Sequence, residues 1–230
     1  MRTIRVLLLL VVMGNLTKAD ELEKPLVLLD ICPCRCYDQR LASHQYEPQA
    51  GDMLLFETGR GAQAFFRAFT GRSISHVAVM VEVDDQLLVL SAEKRNGVVL
   101  EELHTFLRRC NRRDVVWVRR MRQPLSCEQK RRLADWVIRQ VGKPYAYLNQ
   151  VIATPYRVPV VRQVWGLLLC DGPEQPRWFC SQLVCTAYQV CGLIDGRYRA
   201  KSMDPGELCV MPGPWTRPFC LVGLTSALDH

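Results

Sequence analysis

No apolar run in this chain approaches the roughly 20 consecutive residues that a membrane-spanning helix requires. The two candidate runs, residues 6–13 and 164–170, are far shorter. Internal repeats and low-complexity segments are absent as well. With 230 residues and 49% hydrophobic content, the sequence indicates one globular domain with a substantial core.

A strong excess of one charge is also lacking. The chain has 30 Lys and Arg residues against 23 Asp and Glu residues, a formal net charge of +7 at pH 7. Removal of the first 19 residues would take three basic side chains with it and leave +4. So small a surplus does not by itself indicate a nucleic acid or a membrane surface as a partner. We therefore expect no nucleic-acid partner.

The N-terminus has the layout of a secretory signal peptide. Arg2 and Arg5 precede the apolar run over residues 6–13, and the small residue Ala19 closes the segment before Asp20. This pattern predicts a signal peptide over residues 1–19, and with it secretion or delivery to the lumen of the secretory pathway. An uncleaved signal anchor is the alternative.

Eleven cysteines in a secreted chain predict disulfide bonds, because the compartment is oxidising. If one cysteine stays free to react, the other ten could form up to five bridges. Cys32, Cys34 and Cys36 alternate within a predicted N-terminal extension, residues 20–46. Zinc ligands are usually spaced by two or more residues. These three are therefore predicted to be disulfide partners, and no metal or cofactor is expected.

The main folded domain is predicted over residues 47–230, where a turn signal precedes the first buried strand. Apolar runs of strand length and of helical periodicity follow each other along it. Predicted strands cover residues 53–56, 76–83, 86–92, 98–100, 115–118 and 219–224. Predicted helices cover residues 59–69, 103–107, 127–141, 145–152 and 180–191, and residues 203–208 are predicted to form a turn. The expected fold class is α+β, with an antiparallel sheet packed against helices.

Cys180 stands at the start of the apolar helix predicted over residues 180–191. A helix N-terminus carries partial positive charge and unpaired backbone N–H groups, which favour a thiolate over a thiol. A thiolate is a nucleophile, and a neighbouring histidine can take or return its proton. Cys180 is therefore the candidate nucleophile, although a cysteine on a buried helix is more often a core residue or half of a disulfide.

Only four histidines are available to act as the base. His76 lies at the start of a buried strand, which is a suitable position for a site residue. His44 lies in the predicted extension, His104 lies among charged residues, and His230 is the last residue of the chain. His76 is therefore the candidate general base.

Glu93 is the candidate for orienting the His76 ring, which is the third role in such a site. The predicted hairpin turns at Asp84 and Asp85, with His76 eight residues before the turn and Glu93 eight residues after it. Residues placed symmetrically about a hairpin turn come close in space. Three other carboxylates have poorer placement: Glu82, Glu101 and Glu102.

Six short motifs occur in a characteristic order along the chain. They are GDMLLF at 51–56, SHVA at 75–78, Glu93 followed by GV at 97–98, GKPY at 142–145, FCSQLV at 179–184 and PGEL at 205–208. In this order they resemble the permuted papain-like amidases of the YaeF/YiiX type, relatives of the bacterial cell-wall cysteine peptidases. The resemblance covers residues 47–222.

The resemblance implies a circularly permuted papain-like fold, in which the histidine strand precedes the cysteine helix. It implies that Cys180 is the nucleophile, His76 the general base and then acid, and Glu93 the residue that orients the imidazole. The implied reaction is hydrolysis of a peptide-like or N-acyl amide bond through a thioacyl-enzyme intermediate. Tyr145 would be structural or line the pocket.

Two features depart from the pattern of the bacterial members of this family. Gln182 stands where they commonly carry an acidic residue, and a long insert separates Tyr147 from Trp178. Because of these two features, the resemblance indicates the site residues more clearly than it indicates the substrate.

Two other functions stay open from the sequence. A lipid-directed thiol acyltransferase or phospholipase, similar to the lecithin:retinol acyltransferase-like proteins, would use the seven arginines within residues 108–122 to contact anionic head groups. A catalytically inactive secreted binding module would have Cys180 in a disulfide or shielded from solvent. The expected partner is a small amide, a peptide or a lipid. Peripheral contact with a membrane and the oligomeric state are left open.

Overall fold

The computed structural model describes residues 26–29, 43–57, 74–110, 115–147 and 172–222. The predicted signal peptide, residues 1–19, and the predicted helix over residues 59–69 lie outside the described residues. So does most of the predicted helix over residues 145–152. Among the helices of the described residues, none has the length and apolar character that crossing a membrane requires.

The described residues form strands that join in one sheet, and helices that pack on it. The strands are β1 (Val27–Leu29), β2 (Ser43–Gln45), β3 (Met53–Glu57), β4 (Ile74–Val83), β5 (Gln86–Glu93), β6 (Gly97–Glu102), β7 (Val115–Arg119) and β8 (Phe219–Val222). The helices are α1 (Leu103–Arg109), α2 (Cys127–Gln140), α3 (Cys180–Val190) and α4 (Pro205–Val210), with a 3₁₀ turn at Ala200–Ser202.

The strand order in the sheet is β2-β1-β8-β7-β3-β4-β5-β6. Each pair of neighbours is antiparallel. The predicted α+β class with an antiparallel sheet is confirmed, and the arrangement agrees with a permuted papain-like fold. Two short strands from the predicted extension, β1 and β2, add to the sheet beside β8.

The hairpin between β4 and β5 forms as the sequence predicts. Asp84 and Asp85 have positive φ values of 49° and 63°, the conformation that a tight two-residue hairpin turn requires. The strands then pair from Val83 opposite Gln86 to Val79 opposite Leu90. Beyond these pairs, β4 continues toward its start and β5 toward its end, where the candidate site residues lie.

Gly97, at the second hairpin turn, is in a position that only glycine suits. Its φ is +71°, and a Cβ atom there would lie 2.4 Å from the carbonyl oxygen of Lys143. Two backbone hydrogen bonds hold this turn against the end of α2, from Val98 N to Lys143 O and from Gly142 N to Val98 O, both 2.8 Å. The close approach of the two segments therefore excludes a side chain at residue 97.

We expect Gly97→Ala to lower the free energy of unfolding by about 2–5 kcal/mol, because left-handed strain and overpacking add at this position. Gly192→Ala is the matched control: φ is again +71°, but no atom lies within 4 Å of the added Cβ. That variant should lose only the strain, about 1–2 kcal/mol. Urea unfolding of both proteins measures the difference, and equal losses would contradict the steric argument.

Capping boxes define the starts of two helices. At α2, Ser126 Oγ accepts from Gln129 N at 3.2 Å and Gln129 Oε1 accepts from Ser126 N at 3.0 Å. At α4, Asp204 and Glu207 make the same reciprocal pair at 2.8 and 3.0 Å. The prediction of a simple turn over residues 203–208 was therefore wrong. A capping box followed by a proline at the first helical position starts a short helix there.

Each face of the sheet carries its own hydrophobic cluster. Side chains alternate along β4, so Val77 and Val79 belong to the cluster that includes α2 and α3. Ala78 and Met80 belong to the other cluster, together with Phe106 of α1. The helix that carries Cys180 is thus packed directly against β4, the strand that carries His76.

Among the described residues, Cys127, Cys180, Cys191 and Cys220 have free thiols. Five bridges would need ten of the eleven cysteines, so the upper limit of five that the sequence allowed is not reached. Residues 32–36 lie outside the described residues, so the disulfide role of their three cysteines stays a prediction.

Candidate active site

The turn before β3 anchors the sheet to α3. Asp52 is buried, and its carboxylate accepts hydrogen bonds from Tyr46 Oη at 3.0 Å, Gln49 N at 3.2 Å and Met121 N at 2.7 Å. Burial raises the pKa of Asp52, and these three donors oppose that increase. Asp52 therefore has a structural role in this turn, because both oxygens of its carboxylate accept hydrogen bonds.

The same turn holds α3 through the Gly51 carbonyl oxygen. It accepts hydrogen bonds from Tyr188 Oη at 3.3 Å and Trp215 Nε1 at 3.0 Å, and the two rings pack 4.5 Å apart. Tyr188 belongs to α3. One backbone oxygen thus links the start of β3 to the cysteine helix.

The start of α3 is positioned by the segment that follows α2. Trp178 N donates to Pro144 O at 3.1 Å, and Ala146 N donates to Trp178 O at 2.9 Å, which forms a short parallel bridge. The Trp178 indole N–H donates to Gln140 Oε1 at 3.1 Å. One residue after Cys180, Ser181 Oγ donates to Met203 O at 2.7 Å. Hydrogen bonds therefore hold the chain on both sides of Cys180, at Trp178 before it and at Ser181 after it.

Cys180 is the first residue of α3 and is only 2% exposed. Burial raises the pKa of its thiol to about 11. The backbone N–H groups of Val77, Ser181 and Cys180 itself act in the opposite direction by hydrogen bonding to the sulfur. The donors that the helix start predicts are present, but burial outweighs them. The group is therefore a neutral thiol at pH 7.

His76 lies near the start of β4. Its Nε2 atom is 2.9 Å from Ser91 Oγ, and its ring centroid is 5.5 Å from that of Phe56. Burial lowers the pKa of His76 to about 4, although the charge of Glu93 acts to raise it. The imidazole is therefore neutral at pH 7, which is the form that can accept a proton.

Glu93 lies at the end of β5, within electrostatic reach of His76, but its hydrogen bonds go elsewhere. Arg109 donates two hydrogen bonds to its carboxylate, at 3.0 and 2.8 Å, and Asn96 donates a third at 2.9 Å. Burial alone would raise the pKa of Glu93, but these donors lower it overall. Arg109 also contacts Glu101, so the two carboxylates share one guanidinium.

The structure brings Cys180 and His76 to the same stretch of β4, since Cys180 shares a hydrophobic cluster with Val77, whose N–H acts to lower the thiol pKa. Within the described residues, the imidazole bonds to Ser91 and not to Cys180 or Glu93. Phe56, beside the ring, belongs to one cluster and Cys180 to the other, so the groups approach β4 from different faces. Proton transfer between them therefore requires the two side chains to meet at the start of β4, beyond Val79 and Leu90, where its pairs with β5 end.

Tyr145 shares a hydrophobic cluster with Cys180. It is 5% exposed, and its ring packs 5.1 Å from that of Tyr147. Burial raises the pKa of Tyr145, and the charge of a Cys180 thiolate raises it further. The buried phenol is therefore close enough to the thiol for their charges to interact.

Other residues that the sequence singled out have structural contacts. Glu82 pairs with Lys130 at 2.7 Å, away from His76. Arg119, within the arginine-rich stretch, is buried and donates to the carbonyl oxygens of Leu208 at 2.8 Å and Met211 at 2.9 Å. Gln182 is 1% exposed, and its Oε1 has no partner within the described residues.

Ser91 is the contact that sequence reasoning missed. It is fully buried, and it precedes Glu93 by two residues, so both point to the same face of β5. A signal was present, because a lone hydroxyl interrupts an apolar strand two residues before the candidate acid. Groups of His, Cys, Asp or Glu that could hold a metal ion do not occur among the described residues.

We expect alkylation of Cys180 by iodoacetamide to keep accelerating up to about pH 11, because the thiolate is the more reactive form and burial raises the thiol pKa to that value. At pH 7 the exposed thiol of Cys127 should react first. Peptide mapping after timed labelling between pH 6 and 11 measures both sites (about five pH values suffice). A Cys180 rate that is already maximal at pH 7 would contradict the dominance of burial.

Comparisons with known proteins agree with this fold. Residues 47–155 match the family described as "Permuted papain-like amidase enzyme, YaeF/YiiX, C92 family". The matched residues include His76 and Glu93 and end before Cys180. No curated protein matches the chain.

A solved structure is also similar to the chain. It is described as the metalloprotein YiiX from Escherichia coli O157:H7, with 22% sequence identity and a TM-score of 0.45. The similarity covers 63% of this chain and 66% of that one. The family match supports a cysteine hydrolase in general. The resemblance seen in the sequence is thus confirmed, with the match to the permuted papain-like amidases of the YaeF/YiiX type over residues 47–155.

Proposed function

We propose that this protein is a secreted cysteine hydrolase that cleaves a peptide-like or N-acyl amide bond, with Cys180, His76 and Glu93 as its site residues. One observation carries the proposal: a free thiol at the first position of α3 packs in one hydrophobic cluster with Val77, the residue that follows His76 on β4. The family match supports the hydrolase class.

In the first step, the Cys180 sulfur attacks the amide carbonyl carbon and its proton passes to a nitrogen of His76. The carbonyl electron pair moves to oxygen, and the N–H groups at the start of α3 stabilise the resulting charge. His76 then gives its proton to the amide nitrogen, the C–N bond breaks, and the amine leaves. A thioester remains on Cys180.

Water releases the acyl group in the second step. His76 takes a proton from the water as the oxygen attacks the thioester carbon, and the sulfur leaves as the C–S bond breaks. The proton returns to the sulfur, which restores the neutral thiol and neutral imidazole of the free site. The products are a carboxylic acid and an amine, and no cofactor takes part.

Glu93 contributes charge in this mechanism. Its carboxylate acts to raise the pKa of His76 across the hairpin, against the effects of Lys94 and Arg109. The group therefore stabilises the imidazolium that forms during each step. Arg109 and Asn96 hold the carboxylate in place.

A second candidate is an inactive binding module on the same scaffold. The observation that favours it is the state of the free site, a neutral buried thiol that makes no hydrogen bond to the imidazole within the described residues. Such a module would bind an amide, a peptide or a lipid without acylation of Cys180. The two functions differ in whether the Cys180 sulfur becomes acylated.

The test is direct acylation of the native protein. N-acetyl and N-dodecanoyl amino-acid p-nitroanilides, with the corresponding p-nitrophenyl esters, are incubated with the protein, and intact mass reports an acyl adduct. We expect an adduct that maps to Cys180, is released by hydroxylamine as a thioester, and is absent in Cys180→Ala. Turnover of the anilides favours an amidase, and turnover of dodecanoyl esters alone favours the lipid-directed alternative. No adduct and no turnover would favour the binding module.

A further inference from the structure

The His76 ring has one hydrogen-bond partner within the described residues, and that partner is a hydroxyl. Nε2 of His76 lies 2.9 Å from Oγ of Ser91, and Ser91 is fully buried. In a buried site a hydrogen bond of this length fixes both the position and the rotation of the ring. Nε2 is therefore the ring nitrogen that takes part in the hydrogen bond with Ser91.

Glu93 cannot make this contact in the same arrangement. Its two carboxylate oxygens accept hydrogen bonds from Arg109 and Asn96, at 2.8–3.0 Å. Arg109 is in turn held by Glu101. The carboxylate therefore acts on His76 through charge alone, and orientation is left to Ser91.

We propose that Ser91 is the positioning residue of the His76 imidazole, accepting a hydrogen bond from Nε2–H so that Nδ1 is the nitrogen that exchanges protons with Cys180. The inference rests on the proposed function. A hydroxyl can accept this hydrogen bond both before and after Nδ1 is protonated. Unlike a carboxylate, it does so without adding charge to the buried site.

In this proposal Ser91 sets the orientation of the imidazole ring, whereas nearby charged residues act on its pKa. In the proposed arrangement Ser91 accepts from Nε2–H, and a histidine that donates from Nε2 leaves Nδ1 as the base. The charged groups that act on the ring are Glu93, which favours the imidazolium, and Lys94 and Arg109, which disfavour it. Removal of the hydroxyl should therefore change the tautomer, whereas removal of the Glu93 charge should change the pH at which the ring titrates.

The experiment uses the full chain and two readouts. Nitrogen NMR of histidine-labelled protein reports the His76 tautomer, assigned with His76→Ala, and iodoacetamide labelling at pH 8 reports the rate at Cys180. We expect the Nε2–H tautomer in the wild type and a mixture of tautomers in Ser91→Ala. Cys180 in that variant should be labelled at least about tenfold more slowly than in the wild type. A correctly positioned base accelerates a reaction by about 10²–10⁴-fold, and the variant should lose part of this effect. Ser91→Thr, which keeps the hydroxyl, should restore both.

Glu93→Gln is the matched control, because it removes the charge two residues further along the same face of β5. It should keep the Nε2–H tautomer and shift the titration of the ring to lower pH. An unchanged tautomer or an unchanged or faster labelling rate in Ser91→Ala would overturn the inference. If His76→Ala also labels at the wild-type rate, the proposed function fails with it. If His76→Ala alone slows labelling, only the role of Ser91 is lost.

Discussion

Replacement of Cys180 with alanine is expected to lower kcat for amide hydrolysis by a factor on the order of 10⁶, the loss seen when the nucleophile of a hydrolase is removed. The sulfur forms the covalent intermediate, and the neighbouring hydroxyl of Ser181 donates its hydrogen bond to Met203 O. Burial keeps the group neutral at pH 7. The reaction therefore depends on transfer of its proton during attack and not on a preformed thiolate. Release of p-nitroaniline measures the loss.

Cys191→Ala is the matched control for this prediction. Cys191 follows the last residue of the same helix, and it too is buried with a free thiol, whose sulfur lies 2.8 Å from Ala187 O. Burial raises the pKa of Cys191 to about 12. The variant should keep wild-type turnover. Activity that survives in Cys180→Ala, or disappears equally in Cys191→Ala, would show that Cys180 is not the nucleophile.

Replacement of Asp52 with alanine is expected to lower the free energy of unfolding by about 3–5 kcal/mol, because it leaves buried donors without an acceptor. Three donors converge on this carboxylate: Tyr46 Oη, Gln49 N and Met121 N. Two of them are backbone groups that cannot turn away to another partner. Urea unfolding followed by tryptophan fluorescence measures the change.

Asp52→Asn tests the same network with less disruption. Asparagine keeps one oxygen to accept from Met121 N and should lose less stability than alanine. Tyr46→Phe removes a single donor and leaves Asp52 with its two backbone partners, so its loss should be about 1 kcal/mol. Similar stabilities for Asp52→Ala and the wild type would contradict a structural role for the carboxylate.

Several elements followed from local sequence alone, because their signals act within a few residues. The helix predicted over residues 127–141 runs from Cys127 to Gln140, and the residues of its capping box, Ser126 and Gln129, are three positions apart. The turn at Asp84 and Asp85 has the predicted geometry. The helix at residues 205–210 was missed, although its capping box was present in the sequence.

The hydrogen-bond partners of the site residues could not be predicted from the local sequence. The sequence suggested Glu93 as the residue that orients the His76 ring, since the two are placed symmetrically about the turn. The structure instead pairs Glu93 with Arg109, a helix residue whose direction depends on how α1 packs on the sheet. That leaves the neighbouring hydroxyl of Ser91 as the partner of the ring.

By itself, the sequence determined the order of strands and helices, the α+β class, the resemblance to the permuted papain-like amidases, and the candidate residues Cys180, His76 and Glu93. These depend on periodicity, turn chemistry and motif order, which are local properties of the chain. The tertiary structure alone decided the protonation state of the thiol and the imidazole. Both pKa values depend chiefly on burial, and burial is a property of how α3, β4 and β5 pack together.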